Sequence, residues 1–330
     1  MPGDYAVWHF KSLSPSKPIE ARTLTAARKL ECTVPVNNNS MNRPASKPRT
    51  LALTGIAMLA LAANPLLCRM ALGAGHIDAA SFTGIRVIAG AAMLKLLITC
   101  TRQGGKRKPV DWRAVVTLFG YMIFFSFAYL SISVGTGALI LFGAVLLTMF
   151  AVALRSGERF SHLSWAGLAT AIAGLVYLVS PGVTAPEPVG AALMAVAGVA
   201  WGMYSLLGRG EADPLGTTAD NFLYAVPLAV AVNFFFWSDV HTSWYGVTLA
   251  ILSGAIASGL GYVLWYAVLA GMPATRAATA QLSVPVIAAL GGVVLLSEPV
   301  TLRLIVASVA TLGGIALVLL QRAAPNAKSN

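Results

Sequence analysis

Residues Leu61–Arg69 read LAANPLLCR, and residues Trp201–Arg209 read WGMYSLLGR. At an offset of 140 positions Leu66, Leu67 and Arg69 fall on Leu206, Leu207 and Arg209, and the polar Asn64 falls on Tyr204. The same offset pairs Phe82 with Phe222, Glu158 with Glu298 and Gly174 with Gly314. Ala and Leu align by chance in so apolar a chain, but a constant offset that also pairs the scarce Arg and Glu marks an internal repeat. It slips at the third helix of each copy, where Gly120 matches Gly254.

What is repeated must live in lipid. Of 330 residues 57% are hydrophobic and 11% charged, and the mean hydropathy is +0.74, against roughly 25% charged residues in a soluble domain. Apolar runs long enough to cross ~30 Å of hydrocarbon fall at 51–72, 80–100, 113–133, 136–155, 163–180, 189–208, 219–237, 245–268, 277–296 and 301–321. Five of these belong to each copy, over 51–180 and 189–321. An odd number of crossings brings the second copy in from the opposite side. The expected fold is therefore an all-α membrane protein of ten transmembrane helices arranged as two inverted five-helix repeats, the signature of alternating-access transporters.

Residues 1–50 are polar, rich in Pro, Ser and Asn, and lack the apolar core of a signal peptide. They are expected to form a disordered cytosolic tail, within which Met41 offers a second candidate start, and 322–330 a short tail at the other end. With both termini cytosolic, nineteen of the 23 Lys and Arg fall on cytosolic segments; Arg69, Arg86, Lys95 and Arg303 remain. The positive-inside rule favours that orientation. The net charge of +11 thus belongs to the membrane edges and implies no nucleic-acid partner.

No span pairs Cys with His, His with Glu, or two carboxylates, and the histidines (His9, His76, His162, His241) lie in the tail or at loops. No catalytic residue, metal site or cofactor is expected. Cys32, Cys68 and Cys100 have no metal or disulfide spacing and read as free thiols. No Asp or Glu lies in the middle of a span, so a cavity in this protein is expected to be lined by neutral polar and aromatic groups, suited to an amphipathic organic solute.

Arg86 is the exception among the charges, about six residues or ~9 Å into the second span. Either it snorkels to the outer headgroups or it faces a functional site. Trp201, Tyr204 and Ser205 share one face of the sixth helix, and Asn64 is the counterpart of Tyr204. The eighth helix offers Tyr262, Trp265 and Tyr266. In the ninth, Pro285 frees the carbonyl of Gln281 from its helix bond, beside Thr279 and Ser283; Pro285 is the candidate hinge. Tyr121, Trp112, Trp165, Trp237 and Trp244 are expected to be interface anchors, and Glu158 and Glu298 helix-end and loop-fixing groups. The candidate substrate-binding set is Asn64, Arg86, Trp201, Tyr204, Tyr262, Trp265 and Gln281.

These elements resemble the drug/metabolite transporter superfamily, in its ten-helix EamA-type branch. The resemblance rests on LAANPLLCRMAL, WGMYSLLGR, FTGIR at 82–86 and the stretch from Leu264 to Val300, with its aromatic pair, MPAT turn, mid-helix Pro and closing Ser-Glu. It implies a central cavity among helices 1–4 and 6–9, with helices 5 and 10 outside, and export of amino acids, other metabolites or drugs. The first copy departs from the pattern, with Val145 where the second has Pro285 and Leu61-Ala62 in place of the family's usual Trp-Gly of the first helix. The expectation is an inner-membrane exporter of small organic metabolites, amino acids first, as monomer or homodimer, with membrane lipids around it. The competing expectations are a membrane scaffold or receptor that binds without transport, and a drug or nucleotide-sugar carrier of the same fold.

Overall fold

The computed structural model describes residues 47–101, 109–158, 160–209, 211, 213–269 and 280–323. The expected tails lie outside these almost entirely, as do Cys32, the basic loop 102–108, Arg159, the turn at 272–275, Arg276 and Thr279; for Tyr266 only the backbone is described.

The described residues form helices and no strands: α1 (Lys47–Gly73), α2 (Ala79–Thr101), α3 (Trp112–Ala128), α4 (Val134–Arg155), α5 (His162–Val179), α6 (Pro188–Leu207) and α7 (Pro214–Phe235). Next come α8 (Trp244–Ile251), a π-helical segment (Leu252–Leu260) and α9 (Gly261–Leu269) in unbroken succession, then α10 (Ser283–Leu296) and α11 (Leu302–Ala323). Eight stretches are long and apolar enough to cross a membrane; Trp112–Ala128 and Ser283–Leu296 are apolar but shorter. The starts are set by local chemistry. Asp111, Ser133, Ser161 and Ser243 accept backbone N–H groups of the helices they precede, donors that would otherwise be unmet. Glu187 and Asp213 cap helices whose first residue is proline, where the missing N–H costs nothing.

Small residues let the helices approach closely, and their contacts give the chain directions. Asn233 donates to the carbonyl of Ala80 (3.0 Å), while Gly90 lies against the Phe222 ring. Ascending α2 therefore meets descending α7. On α5, Gly167 faces Leu317 and Val318 while Gly174 faces Ala310 and Thr311, so α5 and α11 are antiparallel too. At their crossing Thr311 Oγ1 donates to Ala171 O at 3.5 Å, and these two residues are 140 apart, each the repeat counterpart of the other. The helix pairs share this regularity. α3 packs on α6 as the α8–α9 rod packs on α1, α4 on α6 as α10 on α1, and α3 on α7 as the π segment on α2. Exchanging the two copies maps these pairs onto one another.

Candidate functional site

Between the copies lies a cavity lined from both sides. The first copy contributes Asn64 and Pro65 from α1, Tyr121 and Phe125 from α3, and Leu141 from α4; the second contributes Trp201 from α6, Ala257 and Ser258 from the π segment, Tyr262 from α9, and Gln281 and Val284. Pro65 cannot donate to the carbonyl of Leu61 one turn earlier, and Leu61 also lines the cavity. The π segment holds Ser258 at the cavity wall, with its hydroxyl buried and unpartnered. Single-turn π bulges are common at functional sites; here the wide geometry covers nine residues.

Trp201 is the hub of the aromatic wall. Its ring centroid lies 4.8 Å from that of Tyr121 and 5.6 Å from that of Tyr204, and it stacks on Tyr262 at 5.9 Å with 16° between planes. A polar relay runs behind it. Ser253 donates to Asn64 Oδ1 (2.6 Å), Asn64 Nδ2 donates to Tyr121 Oη (3.4 Å), and Arg86 Nη2 donates to the same oxygen (3.2 Å).

Of the residues singled out from sequence, Asn64, Trp201, Tyr262 and Gln281 line the cavity together. Arg86 is fully buried, which excludes snorkelling, and it stands behind Tyr121 and Phe125 with its guanidinium carbon 5.4 and 5.2 Å from their ring centroids. Tyr204 also stands one layer back, accepting from Asn221 Nδ2 at 3.4 Å, and Ser205 spends its hydroxyl on the Trp201 carbonyl. Trp265 is not at the cavity surface; it packs in an apolar cluster with Ala57, Met58 and Ala288. Pro285 lines a separate apolar groove between α4, α10 and α11. The helix break falls at Leu282, just after Gln281, so Pro285 stands in the first turn of α10 rather than in mid-helix.

Tyr121 and Ser258 are among the cavity groups that the sequence does not point to. Tyr121, expected at a headgroup interface, is only 6% exposed, whereas Trp112, Trp165, Trp237 and Trp244 are exposed as expected. The spacing Tyr121, Phe125, Tyr129 at four-residue intervals, an aromatic stripe on one face of α3, is the signal that marks it. Ser258 has no such signal, since LSGAIASGL reads as a packing face.

At one end of the bundle Arg69 ties several elements together. Its Nη1 donates to Tyr129 O (2.9 Å) and Leu130 O (3.0 Å), and its Nε lies 3.5 Å from Glu298 Oε1. Glu298, in the loop between α10 and α11, accepts from Val134 N at 2.9 Å and so fixes the start of α4. Burial raises the Glu298 carboxyl above the ordinary carboxylate range, outweighing the Val134 hydrogen bond and Arg69. A raised carboxyl takes up its proton in the folded state first, so its stabilising contribution is present below the unfolded pKa and is lost as pH rises through the folded one. Glu298→Gln should therefore be within about 1 kcal/mol of the parent at neutral pH, or more stable. It should also flatten the dependence of melting temperature on pH between the ordinary carboxylate range and the raised value. Large destabilisation at neutral pH, read by melting in detergent, would contradict this.

Comparison with known proteins places the chain among transporters. Residues 188–320 match the model of the EamA-like transporter family. An uncharacterized protein of Pseudomonas aeruginosa is 48% identical over 274 residues, covering 83% of this chain and 96% of the relative. An uncharacterized transporter of Archaeoglobus fulgidus is 27% identical over 231 residues (65% and 81% covered), and one of Bacillus subtilis 20% identical over 259 residues (74% and 89%). A crystal structure of a protein 20% identical in sequence superposes with a TM-score of 0.60 over 84% of this chain and 99% of that one, which establishes a shared fold.

Proposed function

Since this chain belongs to the EamA-like transporter family and is a multi-pass membrane transporter, we propose that it exports small organic metabolites, amino acids first among them, by alternating access of two inverted five-helix halves. The observation that carries this reading is a cavity lined from both copies of the repeat, the place where inverted-repeat transporters hold their solute. Inversion is supported by the antiparallel packing of α2 on α7 and α5 on α11, each pair being repeat counterparts. Ten spans, both termini in the cytosol and a bacterial inner membrane complete the proposal, and they put the Arg69–Glu298 tie at the outer face.

The solute lies against Trp201 and Tyr262, whose rings offer large apolar area at little entropic cost, while Asn64 and Gln281 hydrogen-bond its polar end. Net donors and acceptors at neutral side chains suit a zwitterion or an amphipathic solute. The test is counterflow of a labelled amino-acid panel in proteoliposomes, with and without a proton gradient. The Asn64→Ala/Gln281→Ala double variant should lose about tenfold or more in transport, each substitution leaving a ligand group unpaired, with insertion intact; Asn64→Ala also strips Ser253 of its acceptor and should lower stability by about 1–2 kcal/mol, whereas Gln281→Ala should melt like the parent. Full activity in that variant would remove both residues from the site. Saturable binding without flux in the parent would instead make the protein a non-transporting receptor.

A further inference from the structure

The unmet hydrogen bonds around the cavity are lopsided. Arg86 is fully buried, and its Nε and Nη1 have no hydrogen-bond partner. No Asp or Glu among the described residues forms an ion pair with it. Tyr121 Oη accepts from both Arg86 and Asn64, so its lone pairs are used, and its own hydrogen goes to no acceptor among the described residues. Ser258 Oγ, on the same cavity wall, is buried and unpartnered. The unspent groups are thus the donors of Arg86 and Tyr121 and the Ser258 hydroxyl, which can also donate, backed by a cation that arginine cannot neutralise by losing a proton. A buried charge without a counter-charge is costly, and cation–π contact with Tyr121 and Phe125 offsets only part of that cost.

We propose that the missing counter-charge arrives with the solute: the cavity binds a carboxylate, held by the hydroxyls of Tyr121 and Ser258, with Arg86 behind Tyr121 as the positioning residue. Arg86 polarises the phenol as a donor and supplies the opposite charge without touching the solute. The apolar remainder of the solute lies on Trp201 and Tyr262. This rests on the reading of the cavity as the solute site, and it narrows the solutes to carboxylate-bearing organic molecules with an apolar or aromatic body. A bare inorganic anion or an uncharged sugar fits neither half.

Carboxylates and their carboxamides, nearly equal in shape, separate charge from fit. The probes are phenylalanine, leucine and 3-phenylpropanoate, each beside its carboxamide, in two assays: thermal stabilisation of the detergent-purified full chain, and counterflow in proteoliposomes. The parent should prefer the carboxylate by about tenfold or more in at least one pair. Tyr121→Phe should lose most of that preference while keeping the ring contacts with Trp201 and Phe125. Arg86→Gln should lose it as well and melt no lower than the parent, because it removes a buried unpaired charge, whereas Arg86→Lys should restore part of the preference. A cation serving only to pack Tyr121 and Phe125 would instead lower the melting temperature when removed and leave the preference intact. Equal treatment of acid and amide by the parent, preference retained in Tyr121→Phe, or no stabilisation and no flux with any of the three carboxylates overturns the proposal. Carboxylate-selective stabilisation without flux would sustain the anchor and overturn the transport reading; flux blind to the carboxylate would do the reverse.

Discussion

Gly254→Leu should fail to accumulate as folded protein, and Gly254→Ala alone should cost about 3 kcal/mol. Gly254 sits in the π segment where it crosses α2, and a Cβ built there runs into the carbonyl oxygen of Arg86, with Ala89 Cβ at 3.0 Å. The obstacle is backbone, which cannot rotate away as a flexible side chain would. Relief requires α2 and the π segment to separate; the π segment carries the cavity-lining Ser258, and α2 carries Arg86, which backs the cavity residue Tyr121. Transport should therefore fall with stability. Gly55→Ala is the matched control: no atom lies within 4 Å of the added Cβ, and its melting should stay within about 0.5 kcal/mol of the parent. If the two alanine variants melt alike in detergent, the close approach at Gly254 does not hold the helices as described.

That crossing also shows why some of the protein was legible in its sequence and some was not. Span limits are written locally, in Asp111, Ser133, Ser161 and the Glu-Pro and Asp-Pro pairs, so most expected runs and observed helices agree to within about five residues at each end, while the run expected at 277–296 begins outside the described residues and α10 starts at Ser283. Asn64, Trp201, Tyr262 and Gln281 stand out because each is a polar or aromatic group in an otherwise aliphatic run. Layering is not local. Whether Arg86 touches the cavity or stands behind Tyr121 depends on how α2 and α3 cross, and Trp265, three residues from the cavity-lining Tyr262, turns instead to the cluster with Ala57 and Ala288. Tyr121 reads as a membrane-edge group from sequence because an aromatic near a span end usually sits there. The π geometry that places Ser258 is likewise a product of packing, since Leu252–Leu260 carries no residue that demands it.

Arg69→Ala should destabilise the protein by about 2 kcal/mol, while the same substitution at its repeat counterpart Arg209 should stay within about 0.5 kcal/mol. The two arginines begin from the same sequence context and differ in what surrounds them. Arg69 has 23% of its side chain exposed and Glu298 14%; Arg209 and Glu158 are both exposed. Removing Arg69 strips a donor from the Tyr129 and Leu130 carbonyls and leaves Glu298 without its cation, although burial already works against that carboxylate. Arg69→Lys should recover little, because a single ammonium cannot reproduce a fork that bonds two carbonyls and a carboxylate at once. Adding Glu298→Gln to Arg69→Ala should return part of the loss, since the stranded charge is then gone; the double-mutant cycle isolates that share. If the halves alternate as proposed, the Arg69–Glu298 tie closes one face, so Arg69→Ala should slow transport as well as lower melting. Equal melting losses at Arg69 and Arg209 would show that the tie does not distinguish the two ends of the bundle.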